Sequence, residues 1–129
     1  MSTRTFTAPG LQLDLDERPQ ETIVYCSGKI TSESAETFQN EIRGNVIPES
    51  RGKGVDVTTR IVLDLSRVTF VDSTGLGALL GIWTAAQRRG CDVELVNLSP
   101  RVEGLVSVTK LDQVFSKMKG LFGRSDDSK

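Results

Sequence analysis

No histidine occurs anywhere in the 129 residues. That absence removes the imidazole on which Ser-His-Asp and Cys-His nucleophile systems and HExxH zinc sites depend. Most simple hydrolase readings end on that count, and the expectation is a protein without catalytic residues, metal or cofactor. Cysteine is nearly as scarce. Cys26 and Cys91 lie far apart and match no metal-binding spacing; each sits in an apolar, strand-like stretch, so both are expected as reduced core residues rather than a disulfide or redox pair. No uncharged run reaches the roughly eighteen residues of a membrane span. The polar opening MSTRTFTAPG lacks the apolar region of a signal peptide, and the expected location is the cytoplasm. Charge of one sign is also missing: sixteen Lys and Arg against seventeen Asp and Glu leave a net charge of -1, which offers nothing global to nucleic acid or an anionic membrane.

What is present is an ordinary globular composition, 37% hydrophobic and 26% charged, in a chain long enough for one domain. Leu11, Leu13 and Leu15 alternate in LQLDLD, and ETIVYCSG follows across the turn ERPQ, which predicts a hairpin. From Thr31 the period changes: Ala35, Phe38, Ile42 and Val46 recur at helical spacing, with Thr31 or Ser32 placed to cap and Pro48 beyond the end. The charged, Gly-rich stretch 48–60 reads as a solvated loop. RIVLDL then has the branched composition of a strand covered on both faces. The loops after strands, including residues 66–73, are expected along one edge of the sheet.

Residues 73–90 predict a helix with Asp72 or Ser73 as N-cap, Arg88 and Arg89 in the last turn and Gly90 as its stop. CDVELVNL is a strand, and Ser99 with Pro100 starts another helix bearing Val102, Leu105, Val106 and Thr109 on one face. LDQVFSKMKGLF adds a short edge strand and a terminal helix. The expected organisation is a flexible N-terminus over 1–10, a domain over 11–122 and a polar tail over 123–129. Hairpin, then α-β-α-β-α, implies a single-domain α/β fold with a mixed central sheet of four to five strands flanked by helices.

Three stretches resemble nucleotide or nucleophile motifs and fail in detail. Gly28-Lys29 lacks the upstream glycine of a P-loop, and Ile30 stands where Ser or Thr would meet Mg2+. GLGALL puts Leu80 at the third glycine of a dinucleotide fingerprint, so Gly75 and Gly77 are better used for packing helix on strand. VDSTG lacks the glycine two before the serine of a nucleophile elbow.

Two readings of Ser73 remain open. It caps the helix, with Asp72 adding a favourable charge at the positive end of the dipole, or it is a surface for another protein and a covalent modification. The helix bears on the choice, because in GLGALLGIWTAA only Thr84 is polar and one sheet-facing stripe does not account for so much apolar surface. Gly77, Gly81 and Ala85 form a flat face open to close approach, either by the sheet or by another chain. Trp83 is expected in the core.

IVLDLSRVTFVDSTGLGALLG, the Gly90 turn, VELVNLSPRV and VTKLDQVF together resemble the STAS domain of bacterial anti-sigma factor antagonists, over about residues 22–115. The resemblance implies a STAS-like fold, phosphorylation of Ser73 (with Thr74 a second acceptor) by an anti-sigma factor with ATP-dependent serine kinase activity, and resetting by a protein phosphatase. Partner contact is implied for Thr31, Asp72, Ser73, Thr74, Gly75, Leu76 and Gly77. Asp72 is expected to orient the acceptor hydroxyl or to lie near the Mg2+ of the partner's ATP. Where the family commonly carries an acidic GELD, this chain has GKIT, with Lys29 and Thr31 in those places. The alternative is a non-switching STAS scaffold subunit of a signalling or lipid-transport assembly. A monomer or weak dimer is expected, with no nucleic acid partner.

Overall fold

Two prolines set the first turns of the chain. Pro9 and Pro19 fix φ at the second position of each, and the following Gly10 (φ +74°) and Gln20 (φ +70°) take the left-handed conformation such turns require. They link β1 (Ser2–Ala8), β2 (Leu11–Arg18) and β3 (Glu21–Ile30) into an antiparallel meander. The rest is α1 (Ala35–Asn45), β4 (Arg60–Val71), α2 (Ser73–Arg88), β5 (Asp92–Val96) and α3 (Pro100–Val108). A computed structural model describes residues 2–48 and 59–108. The loop expected over 48–60 lies largely outside the described residues. The expected terminal strand, helix and tail lie wholly outside them.

The five strands form one mixed sheet in sequence order, with β3–β4 and β4–β5 parallel. The parallel strands step in one direction, so crossovers of the usual right hand place α1 and α2 on the same face. The core agrees: Leu13, Leu15, Val24, Leu63 and Leu95 are buried with Phe38, Ile42, Leu76 and Ile82 from the helices. Register carries that face across the sheet through Leu15–Val24, Val24–Leu63 and Leu63–Leu95.

The opposite face corrects the expectation that β4 is covered on both sides. Val62 is buried there, but Asp64 is half-buried, Ser66 is exposed and Tyr25 on β3 is 41% exposed. Arg60 crosses this face to Glu21 at 3.4 Å and to Glu94, tying the three parallel strands together.

Two further expectations are corrected. Residues 2–8, expected as a flexible terminus, pair with β2 from Ser2–Glu17 to Ala8–Leu11. Residues 66–71, expected as a loop, continue β4 beside β3. Between the pairs Tyr25–Asp64 and Ser27–Arg67, and again between Gly28–Val68 and Lys29–Phe70, β4 carries an extra residue. Such bulges bend a strand without ending it. Asp64 Oδ1 accepts the Ser66 N–H at 2.9 Å inside the first.

Cys26 and Cys91 are free thiols in the core, as the sequence implies. Burial raises both pKa values, that of Cys91 to about 12.

Candidate functional site

The register pair Ile30–Val71 ends β3 and β4 side by side, so the residues that follow each strand meet at one edge of the sheet. After β3 comes a tight turn, closed by the N–H groups of Ser34 and Ala35 on Thr31 O at 3.0 and 2.7 Å. After β4, α2 begins at once.

Asp72 joins the two. Its Oδ1 accepts the Gly75 N–H at 2.7 Å, which makes it the N-cap of α2. Its Oδ2 accepts the Ser32 N–H at 3.1 Å, and its own N–H donates to Ile30 O at 3.2 Å. Of the two cap candidates, therefore, Asp72 holds the role. The carboxylate is occupied by backbone donors on both sides, and no hydrogen bond joins it to Ser73 Oγ among the described residues; the expectation that it orients that hydroxyl is corrected.

Ser73 is thereby released from capping. It occupies the first position of α2, exposed, and its hydroxyl has no hydrogen bond among the described residues. Thr74 is also exposed. Leu76 N–H reaches Asp72 O at 2.9 Å and Gly75 N–H reaches the Asp72 side chain, so the N–H groups of Ser73 and Thr74 remain as the free donors of the first turn. They and the helix dipole favour an anion at this point.

Gly75 is the closest approach in the site. A Cβ there would lie 2.0 Å from Ile30 O, so only glycine lets α2 start this near β3. Gly75 and Leu76, implied as partner contacts, are both buried, Leu76 completely; their side of the helix faces the domain, which corrects that implication. Gly77 is exposed, with open space at its Cβ position. The packing use read for the glycine pair thus holds for Gly75 and not for Gly77.

Much of the apolar surface of α2 is covered within the domain. Leu76, Ala78, Leu79, Ile82 and Ala86 are buried, while Leu80, Trp83 and Ala85 are partly buried against the core. On the flat face, Gly81 meets α1: a Cβ there would fall 2.1 Å from Gln39 Nε2.

Thr31 is half-buried and its Oγ1 accepts the Glu33 N–H at 3.3 Å. Lys29 is exposed and lines a cavity of about 430 Å³ with Thr69, Phe70 and Arg101, the last 6.0 Å above the Phe70 ring.

Sequence reasoning missed Ser32, whose contribution is a backbone N–H, and misplaced the cap of α1. Ser34, not Thr31 or Ser32, holds the N-cap position; its buried Oγ donates to Lys29 O at 2.9 Å and accepts the Thr31 N–H at 3.1 Å. The repeated Ser/Thr of TSES is the signal that could have found it.

At the edge where β3 and β4 end, Asp72 caps α2 and Ser73 stands exposed beside it. The model of the STAS domain matches residues 12–126, and the chain belongs to that family. It is 34% identical over 56 residues to a STAS-domain containing protein of Pseudomonas aeruginosa, a match covering 43% of this chain and 55% of the relative. It is 26% identical over 105 residues to the anti-sigma-B factor antagonist of Listeria monocytogenes, covering 81% of this chain and 85% of the relative. The crystal structure of an anti-sigma factor antagonist from Mycobacterium paratuberculosis shares the fold, with a TM-score of 0.67 at 24% identity over 95% of this chain and 94% of the other. Membership of the STAS family makes the chain non-enzymatic. Among the described residues, no helix is long and apolar enough to cross a membrane.

Proposed function

We propose that this protein is an anti-sigma factor antagonist that binds an anti-sigma factor while Ser73 is unmodified and is released when that partner, acting as an ATP-dependent serine kinase, phosphorylates Ser73; a phosphatase restores the binding form. The observation that carries the reading is the division of labour at the start of α2: Asp72 caps, and Ser73 is exposed with its hydroxyl uncommitted among the described residues. The similarity to anti-sigma-B factor antagonists supports the choice of partner.

Phosphorylation adds about -1.5 to -2 charges and three acceptor oxygens. Within the domain that charge falls on the positive end of the α2 dipole, so the fold tolerates it. In the complex it must be desolvated beside the Asp72 carboxylate, which favours release. The contact surface comprises Thr31, Asp72, Ser73, Thr74 and Gly77, the half-buried and exposed members of the site. Gly75 and Leu76 shape it from beneath.

The test is incubation with the candidate kinase and ATP, followed by mass mapping of residues 61–88. Phosphate on Ser73 is expected. Stoichiometric phosphate elsewhere, with Ser73 unmodified, contradicts the reading.

A further inference from the structure

We propose that the cleft between the C-terminal ends of α1 and α2 is a binding site for a small anion bearing two or more phosphate groups. Its position follows from the topology. Both helices return from the Ser73 edge of the parallel strands to the opposite edge, so both end together, far from the phosphorylation site. Arg43 in the last turn of α1 and Arg88 and Arg89 at the end of α2 line the same cleft of about 840 Å³, a volume suited to a small ligand.

Among the described residues, the three guanidinium groups have no other assigned work. Arg4, Arg18 and Arg60 each pair with a carboxylate, whereas Arg43, Arg88 and Arg89 make no ion pair among the described residues, and no described carboxylate lines the cleft. Nor do they cap the helices. The carbonyls of Ala86 and Gln87 are already taken by the N–H groups of Arg89, Gly90 and Cys91, the chain turning at Gly90 (φ +73°), and Ile42 O by Val46 and Ile47. Attraction to the helix dipoles explains a basic residue at each end. Among the described residues, two half-charges of roughly -0.5 still leave about two positive charges unbalanced in the cleft.

The remaining walls set the shape of the ligand. Ile47 and Pro48 supply an apolar side, and Gly44, with open space where a Cβ would stand, leaves room between the helices. Arginine forks bind phosphate oxygens in pairs, so two phosphates use three arginines better than one.

The experiment is calorimetric titration of the full chain with inorganic pyrophosphate at low ionic strength. Saturable binding is expected, weakened about tenfold or more by Arg88→Gln with Arg89→Gln, and likewise by Arg43→Gln. Gly44→Leu fills the space at unchanged charge and is expected to weaken binding too, with circular dichroism confirming that it folds. ADP in place of pyrophosphate separates a nucleotide from a free anion, since only the nucleotide can use Ile47 and Pro48. No saturable heat with either ligand overturns the proposal. So does an equal loss in Arg67→Gln, an exposed arginine outside this cleft, because that result assigns the binding to overall charge.

Discussion

The Asp72 carboxylate accepts the backbone N–H of Ser32 at 3.1 Å across the edge of the sheet. With its other oxygen on Gly75 N–H at 2.7 Å, one side chain holds the turn after β3 and the start of α2 in fixed relation. The surface around Ser73 is therefore set by its neighbour.

Asp72→Ala removes a cap and a tie between segments at once. A cap alone contributes about 0.5–2 kcal/mol, and a loss in the upper part of that range is expected in urea unfolding. Ser73→Ala, at an exposed position with no hydrogen bond to lose among the described residues, is expected to change stability by less than about 0.5 kcal/mol. Equal losses would return the cap to Ser73.

Gly75 and Gly81 both lie on α2 but meet different neighbours. Gly75→Ala drives a methyl group into the fixed Ile30 carbonyl, with an expected cost of about 1–3 kcal/mol or more. Gly81→Ala meets only the end of the flexible Gln39 side chain, which can turn aside, while the helix gains up to about 1 kcal/mol from replacing glycine. Thermal melts are expected to move in opposite directions.

The thiols predict a pH dependence. The pKa of Cys91 is pushed from 9.0 up to about 12 by burial first and then by Asp92, and Cys26 is raised in the same sense by burial and then Asp64. Above pH 9 the unfolded chain releases thiol protons that the folded chain retains, so this contribution to stability is complete below pH 9 and lost between 9 and about 12. Denaturant midpoints are expected to fall over that interval, and less so in Cys91→Ala. At neutral pH, alkylation of either thiol is expected to require unfolding.

Much of this architecture is legible in the sequence because local rules agree with the fold. The Pro19–Gln20 turn, the stripe Ala35, Phe38 and Ile42, and Ser99 ahead of Pro100 each appear as read, the last with Val102 N–H on Ser99 Oγ at 3.2 Å. The N-terminal strand escaped because STRTFTA turns only Arg4, Phe6 and Ala8 toward the helices, and an edge strand with so little apolar content reads as a tail. The end of β4 escaped because two bulges break its alternation. At the site, Ser73 and Asp72 stood out. The choice between them as cap was a matter of geometry, and so was the burial of Leu76, since a helix apolar on most sides does not announce which side faces inward.

Phosphorylated and unmodified protein, compared for affinity to the anti-sigma factor and for melting temperature, test the central claim most directly. The account predicts that phosphate on Ser73 weakens binding by about a thousandfold, roughly 4 kcal/mol, with the melting temperature almost unchanged. Undiminished affinity, or a loss of binding that merely follows unfolding, would contradict it.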